Sequence, residues 1–333
     1  MESRKVQVSG GSTFIVSIPK RWAERNGLSA GTPLNITEDR NGNLVLSAQP
    51  MDVKDTVIGE IKLSGSEDRD GLMRRLVGAY VSGATGILVS SKGAIPPELA
   101  RTVRDFTRLV MGVEIIEESK DLIRLQDLIN PSELSVRTGL KRMAFITEKM
   151  VEDSFRGLKD RNMGILEDVM LRDMEVDRID WLIQKEYNRM SQSPSTADKE
   201  RISSEDALNF MLSSRYVERV ADHAVSIAKY LTMIEPPKDK DLINHLIKEG
   251  EAARKVFSDG ISSLFYRDLP LADSTIDSSK ELRERLPALF KKVFQQEADE
   301  AVLLAYAINS IERIASYGGD IAKITLNTFV PKK

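Results

Sequence analysis

From residue 134 to the end of the chain, apolar positions recur at the three- and four-residue intervals of a helix. Breaks at Arg161-Asn162, Ser191-Gln192-Ser193-Pro194-Ser195, Pro236-Pro237 and Leu269-Pro270, and near residues 294–296, divide this half into six helices. Ser203 with Asp206 three residues on is a capped start for the third of them. Three helices precede Pro236-Pro237 and three follow it. The pattern predicts two antiparallel three-helix bundles in tandem, over 134–234 and 238–330. Gly318-Gly319 in the last helix lowers helix propensity and points to close packing or a kink.

Before residue 134 the period is different. Strands are expected over 57–63, 86–90, 113–117 and 122–125. Between them lie a helix over 72–81 ended by Gly83, and one that Pro96-Pro97 opens, running to Met111 and capped by Gly112. The order βαβαββ suggests a ferredoxin-like, two-layer α/β domain over 55–130, a connector between the flanking parts. Residues 1–50 read as short β strands (5–9, 12–18, 33–37, 44–46) around one helix, which Pro19 opens and Gly27 ends. Gly10-Gly11 turns the chain, and Asn41-Gly42 is a hairpin signal. So few large apolar side chains can hardly bury a core alone, so this all-β unit should fold as an intertwined homodimer. The fold class is therefore multidomain: a small all-β dimer unit, an α/β domain, then all-α bundles.

Charge singles out one helix. Over residues 215–227, Glu218 and Asp222 stand four residues apart, which puts both carboxylates on one face. Arg215 and Arg219 alternate with them along the same stripe, as they would on a solvated, salt-bridged surface. Yet Val217, Val220, Ala221, Ala224 and Ile227 mark the helix as largely packed. Glu218-Arg219-Val220-Ala221 recurs as Glu312-Arg313-Ile314-Ala315, which implies a duplicated unit.

Composition narrows the chemistry. The 333 residues hold 41% hydrophobic and 30% charged side chains, as in soluble globular proteins, and no apolar run of about 18 residues that could enter a membrane. The first residues, Met-Glu-Ser-Arg-Lys, are no secretory signal, so a cytoplasmic location is expected. Zero cysteines and two histidines leave carboxylate oxygens as the main donors for any metal, which favours a hard or borderline cation over structural zinc. No Ser-His-Asp set, Walker loop or Gly-x-Gly-x-x-Gly is present, so no enzyme activity is expected. A carboxylate-bridged dimetal enzyme in a helical bundle is the rival reading. Such bundles use Glu-x-x-His pairs, and neither His223 nor His245 has a glutamate three residues before it. The chain carries −3 overall, but its first 25 residues hold Arg4, Lys5, Lys20, Arg21 and Arg25 against Glu2 and Glu24, a local balance of +3. On a dimer that patch doubles, as phosphate contacts to duplex DNA require. A solubilising surface or a pure dimerisation module would carry the same charges.

Two resemblances sharpen these expectations. Gly11-x-x-Phe14-Ile15-Val16-Ser17-Ile18-Pro19-Lys20, with Trp22, Gly27-Leu28 and Gly31, resembles the AbrB/SpoVT swapped-hairpin family. That resemblance implies a DNA-binding dimer. The helical half resembles the PhoU family of phosphate-uptake regulators, most specifically at Arg215-x-x-Glu218-Arg219-x-x-Asp222-His223-Ala224. The family's second acidic motif falls on the preceding helix, at Asp173 and Asp177. The resemblance implies that Asp173, Asp177, Glu218 and Asp222 face each other across the bundle and hold a metal ion or cluster: iron, zinc or another divalent cation. Four converging carboxylates would be costly without a cation; a polar seam neutralised by Arg172, Arg215 and Arg219 is the alternative. The second half departs from the motif. Glu312 keeps its place, Ser316 and Tyr317 replace the aspartate and histidine, and Ser279 and Arg283 fall at the partner positions, so a metal at Glu312 is not expected. PhoU-like bundles are expected to contact a phosphate transporter's ATPase and a sensor kinase. A chain with an AbrB-like domain could instead act on promoters directly, or serve as a scaffold without DNA binding.

Overall fold

The computed structural model describes residues 3–38, 42–48, 57–128, 135–192, 202–233 and 239–329. The expected breaks at Ser193-Pro194-Ser195 and Pro236-Pro237, residue Asn41 of the hairpin signal, and the domain boundaries near 50–55, 130–134 and 234–238 lie outside the described residues. The chain divides into two compact units, residues 1–56 and 57–333.

In the first unit, β1 (Gln7–Ser9) pairs antiparallel with β2 (Thr13–Ile15), Gln7 opposite Ile15. Gly10 and Gly11 make the turn at φ 61° and 86°, in the left-handed region glycine enters freely. α1 (Lys20–Arg25) follows Pro19, and β3 (Asn35–Glu38) pairs with β4 (Leu44–Ser47). No described residue of this unit is buried. Phe14 is 74% exposed and Leu44 71%, so the hairpins leave large apolar residues on their surface.

The second unit begins with β5 (Ile58–Leu63), α2 (Arg69–Val81), β6 (Gly86–Ser91), α3 (Pro97–Leu109), β7 (Val113–Glu118) and β8 (Leu122–Asp127). Alternate strand residues Ile61, Leu63, Ile87, Val89, Ile123 and Leu125 bury against Leu72, Leu76, Tyr80, Val103 and Phe106 of the helices. The element order is the expected one, but the ferredoxin-like label is corrected. A ferredoxin-like chain runs β-α-β-β-α-β. Here the sheet order is β5-β6-β8-β7, with β5 and β6 parallel neighbours joined through α2. The β7–β8 hairpin adds antiparallel at the β6 edge.

Among the described residues the helical half has seven helices rather than six: α4 (Val136–Asp160), α5 (Met163–Gln192), α6 (Ser204–Thr232), α7 (Lys240–Tyr266), α8 (Leu269–Arg285), α9 (Pro287–Val293) and α10 (Ala298–Phe329). Pro287, which has no N–H to donate, breaks the fifth expected helix and opens α9. The break expected at Leu269-Pro270 falls earlier, at Arg267, and Pro270 lies in the first turn of α8. Ser203 caps α6 by accepting from the Asp206 N–H at 2.9 Å. One apolar core runs through both sets of helices, and α10 packs on α6 as well as on α7 and α8. Gly318 explains the close approach of α7 and α10. A Cβ there would stand 2.8 Å from the Phe257 backbone, and one on Gly260 would meet the Gly318 carbonyl at 2.4 Å. The duplication reaches the turns: α4 and α7 both end on a left-handed arginine, Arg161 at φ 54° and Arg267 at φ 56°.

Helix α5 also carries the α/β layer. Asn188 and Gln192 donate to the Val81 and Ser82 carbonyls at 2.7 and 3.0 Å, satisfying the end of α2. Between these layers Lys185, fully buried, pairs with Asp127 at 2.6 Å and lies over the Tyr80 ring.

Candidate functional site

The acidic motifs sit on α5 and α6, which pack against each other. Apolar neighbours Val176 and Ile179 on α5, and Val217, Val220 and Ala221 on α6, bury one face of each helix. That burial turns Asp173, Asp177 and Glu218 into a half-buried groove, with Asp222 at its solvent edge. Burial pushes the Asp173 carboxyl up to about 6, and the charges of Asp222 and Glu218 add to it. Asp177 is also raised to about 6, by burial and then by Asp173 and Asp222. Glu218 is raised to about 7 by burial and by Asp222, against the pull of Arg215. Asp222 is raised too, chiefly by burial. The four carboxylates therefore feel one another across the two helices.

Arg219 pulls the Asp222 carboxyl down against its burial, but Arg172 and Arg215 do less than a neutralised seam would need. Arg215 is spent mainly on Asp180, at 2.5 Å, and reaches Glu218 only at 3.8 Å. Arg172 turns away, to Asp153 at 2.5 Å and Asp168 at 2.9 Å. Asp180, 1% exposed, also accepts from Ser214 at 2.8 Å and Gln184 at 2.6 Å. This hub holds Arg215 in place and escaped sequence reasoning; its signal was a third aspartate three residues past Asp177 on the same stripe.

An oxygen-only set of mutually repelling, half-buried carboxylates fits a hard or borderline cation in kind. It is not a ready-made cage: among the described residues no three acidic or histidine side chains stand close enough to hold a metal as they are. His223 faces elsewhere, its Nδ1 3.3 Å from Ser310 Oγ, and burial with Arg313 and Arg219 pulls its pKa down to about 4.

The second half is built differently at the matching place. Ser279 donates to the Ala315 carbonyl at 2.8 Å, and Ser316 donates to the Glu312 carbonyl at 2.9 Å. The Ser279 hydroxyl crosses the α8–α10 seam beside Gly319, whose Cβ would stand 3.0 Å from Ser279 Oγ, while that of Ser316 stays on its own helix. Glu312 is partly buried, and Asp273 and Asp277 are exposed.

In the first unit Arg4, Lys5, Lys20, Arg21 and Arg25 are all exposed. Lys20 forms a 3.6 Å pair with Glu24 on the surface of α1, a contact worth little in water.

Comparison with known proteins agrees with this division. Residues 140–231 match the PhoU domain, and residues 7–54 match the family described as antidote-toxin recognition MazE, bacterial antitoxin. The phosphate-specific transport system accessory protein PhoU homolog of Clostridium acetobutylicum is 24% identical over 163 residues, 47% of this chain and 69% of that protein. The Pseudomonas aeruginosa homolog is 24% identical over 203 residues, 57% of this chain and 81% of its own length. Among solved structures, PhoU from Pseudomonas aeruginosa superposes with a TM-score of 0.51 at 19% identity, covering 58% of this chain and 94% of its own. The phosphate transport system regulatory protein PhoU from Streptococcus pneumoniae gives 0.51 at 15% identity, covering 59% and 96%. The chain thus has a PhoU-like helical half that follows an N-terminal MazE/AbrB-like segment.

Proposed function

We propose that this protein regulates phosphate uptake, that its N-terminal units pair into a dimer that binds duplex DNA, and that a cation held by Asp173, Asp177, Glu218 and Asp222 steadies its helical half. The observation that carries the reading is the joining of a PhoU-like half to a unit with no buried residue among those described and five exposed cations. Such a unit gains a core by pairing, and pairing doubles its positive charge. The relatives' role in phosphate-specific transport supports the regulatory reading. A bound cation would supply charge neutralisation in the groove, drawing α5 and α6 together where their carboxylates now repel.

The test is a mobility-shift titration of the full chain on promoter fragments of phosphate-uptake genes across a salt series. Ten cations on a dimer cannot all face the duplex, so a log–log slope of roughly −4 to −7 is expected. Replacing Lys20 and Arg21 by alanine should weaken binding to every sequence and flatten that slope, because phosphate contacts position rather than specify. Equal, negligible affinity for the full chain and for a chain lacking residues 1–50 would overturn DNA binding. A scaffold that contacts the transporter's ATPase would then be the better account.

A further inference from the structure

The first helices of the two halves, α4 and α7, run side by side in opposite directions. They press together at Gly250, where a Cβ would stand 2.2 Å from the Phe155 ring. Further along, Glu148 and Arg254 bridge them at 2.7 Å. Beyond that bridge the helices leave a pocket of about 260 Å³. Its far end is closed by Arg137, which donates to the Phe265 carbonyl at 3.3 Å and lies over the Phe265 and Phe210 rings at 5.3 and 5.8 Å.

Three features give the pocket a chemical character. Arg137 and Lys141 bring two cations to its wall, and neither has a carboxylate partner among the described residues. The one acid in the lining, Glu148, is already spent on Arg254. Ser258 and Ser262, one turn apart on α7, add two hydroxyls. At the rim Phe145 is 63% exposed and Tyr266 79%, two aromatic side chains open to solvent. Free phosphate would use the cations and leave the rings idle, and an uncharged ring would do the reverse. The volume lies just under the roughly 300 Å³ at which ordinary ligand pockets begin, so the ligand is small.

We propose that this pocket binds a nucleoside monophosphate, with its phosphate at Lys141 and Arg137 and its base against the Phe145 and Tyr266 rings. Base–aromatic stacking and charge-assisted contacts are the two interactions this lining provides. The site uses none of the carboxylates of the α5–α6 groove, so the two can be tested separately.

The full chain is titrated by calorimetry and thermal shift with adenosine 5′-monophosphate, adenosine and inorganic phosphate. The monophosphate should bind saturably, about tenfold or more tighter than either part alone. Lys141→Glu should weaken it at least about tenfold by placing a like charge against the phosphate. Phe145→Ala should weaken it roughly fivefold or more. Both side chains are exposed, so the ligand-free melting temperature should stay put, and Tyr266→Ser gives a second variant of the aromatic rim. Absence of binding, phosphate binding as well as the monophosphate, or a Lys141→Glu variant that binds normally would each overturn the proposal.

Discussion

Replacing Glu218 with glutamine removes one charge from the α5–α6 groove while keeping the side chain's shape. The Glu218 carboxyl holds its proton up to about pH 7 in the folded chain, against 4.5 in the unfolded one. Between those values the native state binds more protons than the unfolded state, so stability falls as pH rises through this window. Above pH 7 the cost of the buried charge is fully present. At about 1.4 kcal/mol per pH unit the whole difference would be about 3 kcal/mol, and the half-exposed position roughly halves it, leaving about 1–2 kcal/mol. The lost Arg215 contact, at 3.8 Å, offsets little of that. The Glu218→Gln chain in chelator should therefore unfold at a higher temperature than wild type at pH 8 and at nearly the same temperature at pH 5. With divalent cation added, wild type should gain stability and the variant should gain less. A variant less stable than wild type at pH 8, or equally stabilised at both pH values, would refute the reasoning.

Other perturbations test the surroundings. Gly318→Ala forces a Cβ to within 2.8 Å of the Phe257 backbone, which cannot swing aside as a side chain could. It should cost about 2–3 kcal/mol in a denaturant titration. Lys185→Met leaves buried Asp127 and Glu186 with only the 3.5 Å contacts of Arg189 and should cost about 3 kcal/mol, with a loss of protease resistance at the α5 contact with the α/β layer. The fragment 1–56 should sediment as a dimer, since none of its described residues is buried, and a folded monomer would contradict the pairing.

Much of this could be read from the chain because local rules agreed with global ones. The helical period after residue 134 and the Ser203 cap are decided within a turn of sequence, and the structure keeps them, while the break expected at Leu269-Pro270 shifts back to Arg267. The strand order around β6 was not legible, since pairing depends on which edge the β7–β8 hairpin reaches and not on the strands' own residues. In the groove, four-residue spacing singled out Glu218 and Asp222, and the resemblance to the PhoU family pointed to Asp173 and Asp177; spacing says which face a side chain shares. It does not say where an arginine goes. Arg172 and Arg215 each reach a partner on another helix, Asp153 and Asp180, and that choice belongs to packing. The buried Lys185 was hidden for the same reason: its partner, Asp127, lies in the α/β layer.

The claim that the α5–α6 groove holds a cation is met most directly by elemental analysis of the full chain purified without chelator, beside Asp173→Asn and Asp222→Asn. Wild type should carry metal, lose it on chelation with a fall in melting temperature, and recover both when a divalent or ferric ion is restored. The two variants should carry little and respond little. A wild-type chain with no bound metal, whose melting temperature is unmoved by added divalent or ferric ions, would contradict the claim and leave the four carboxylates as a structural seam.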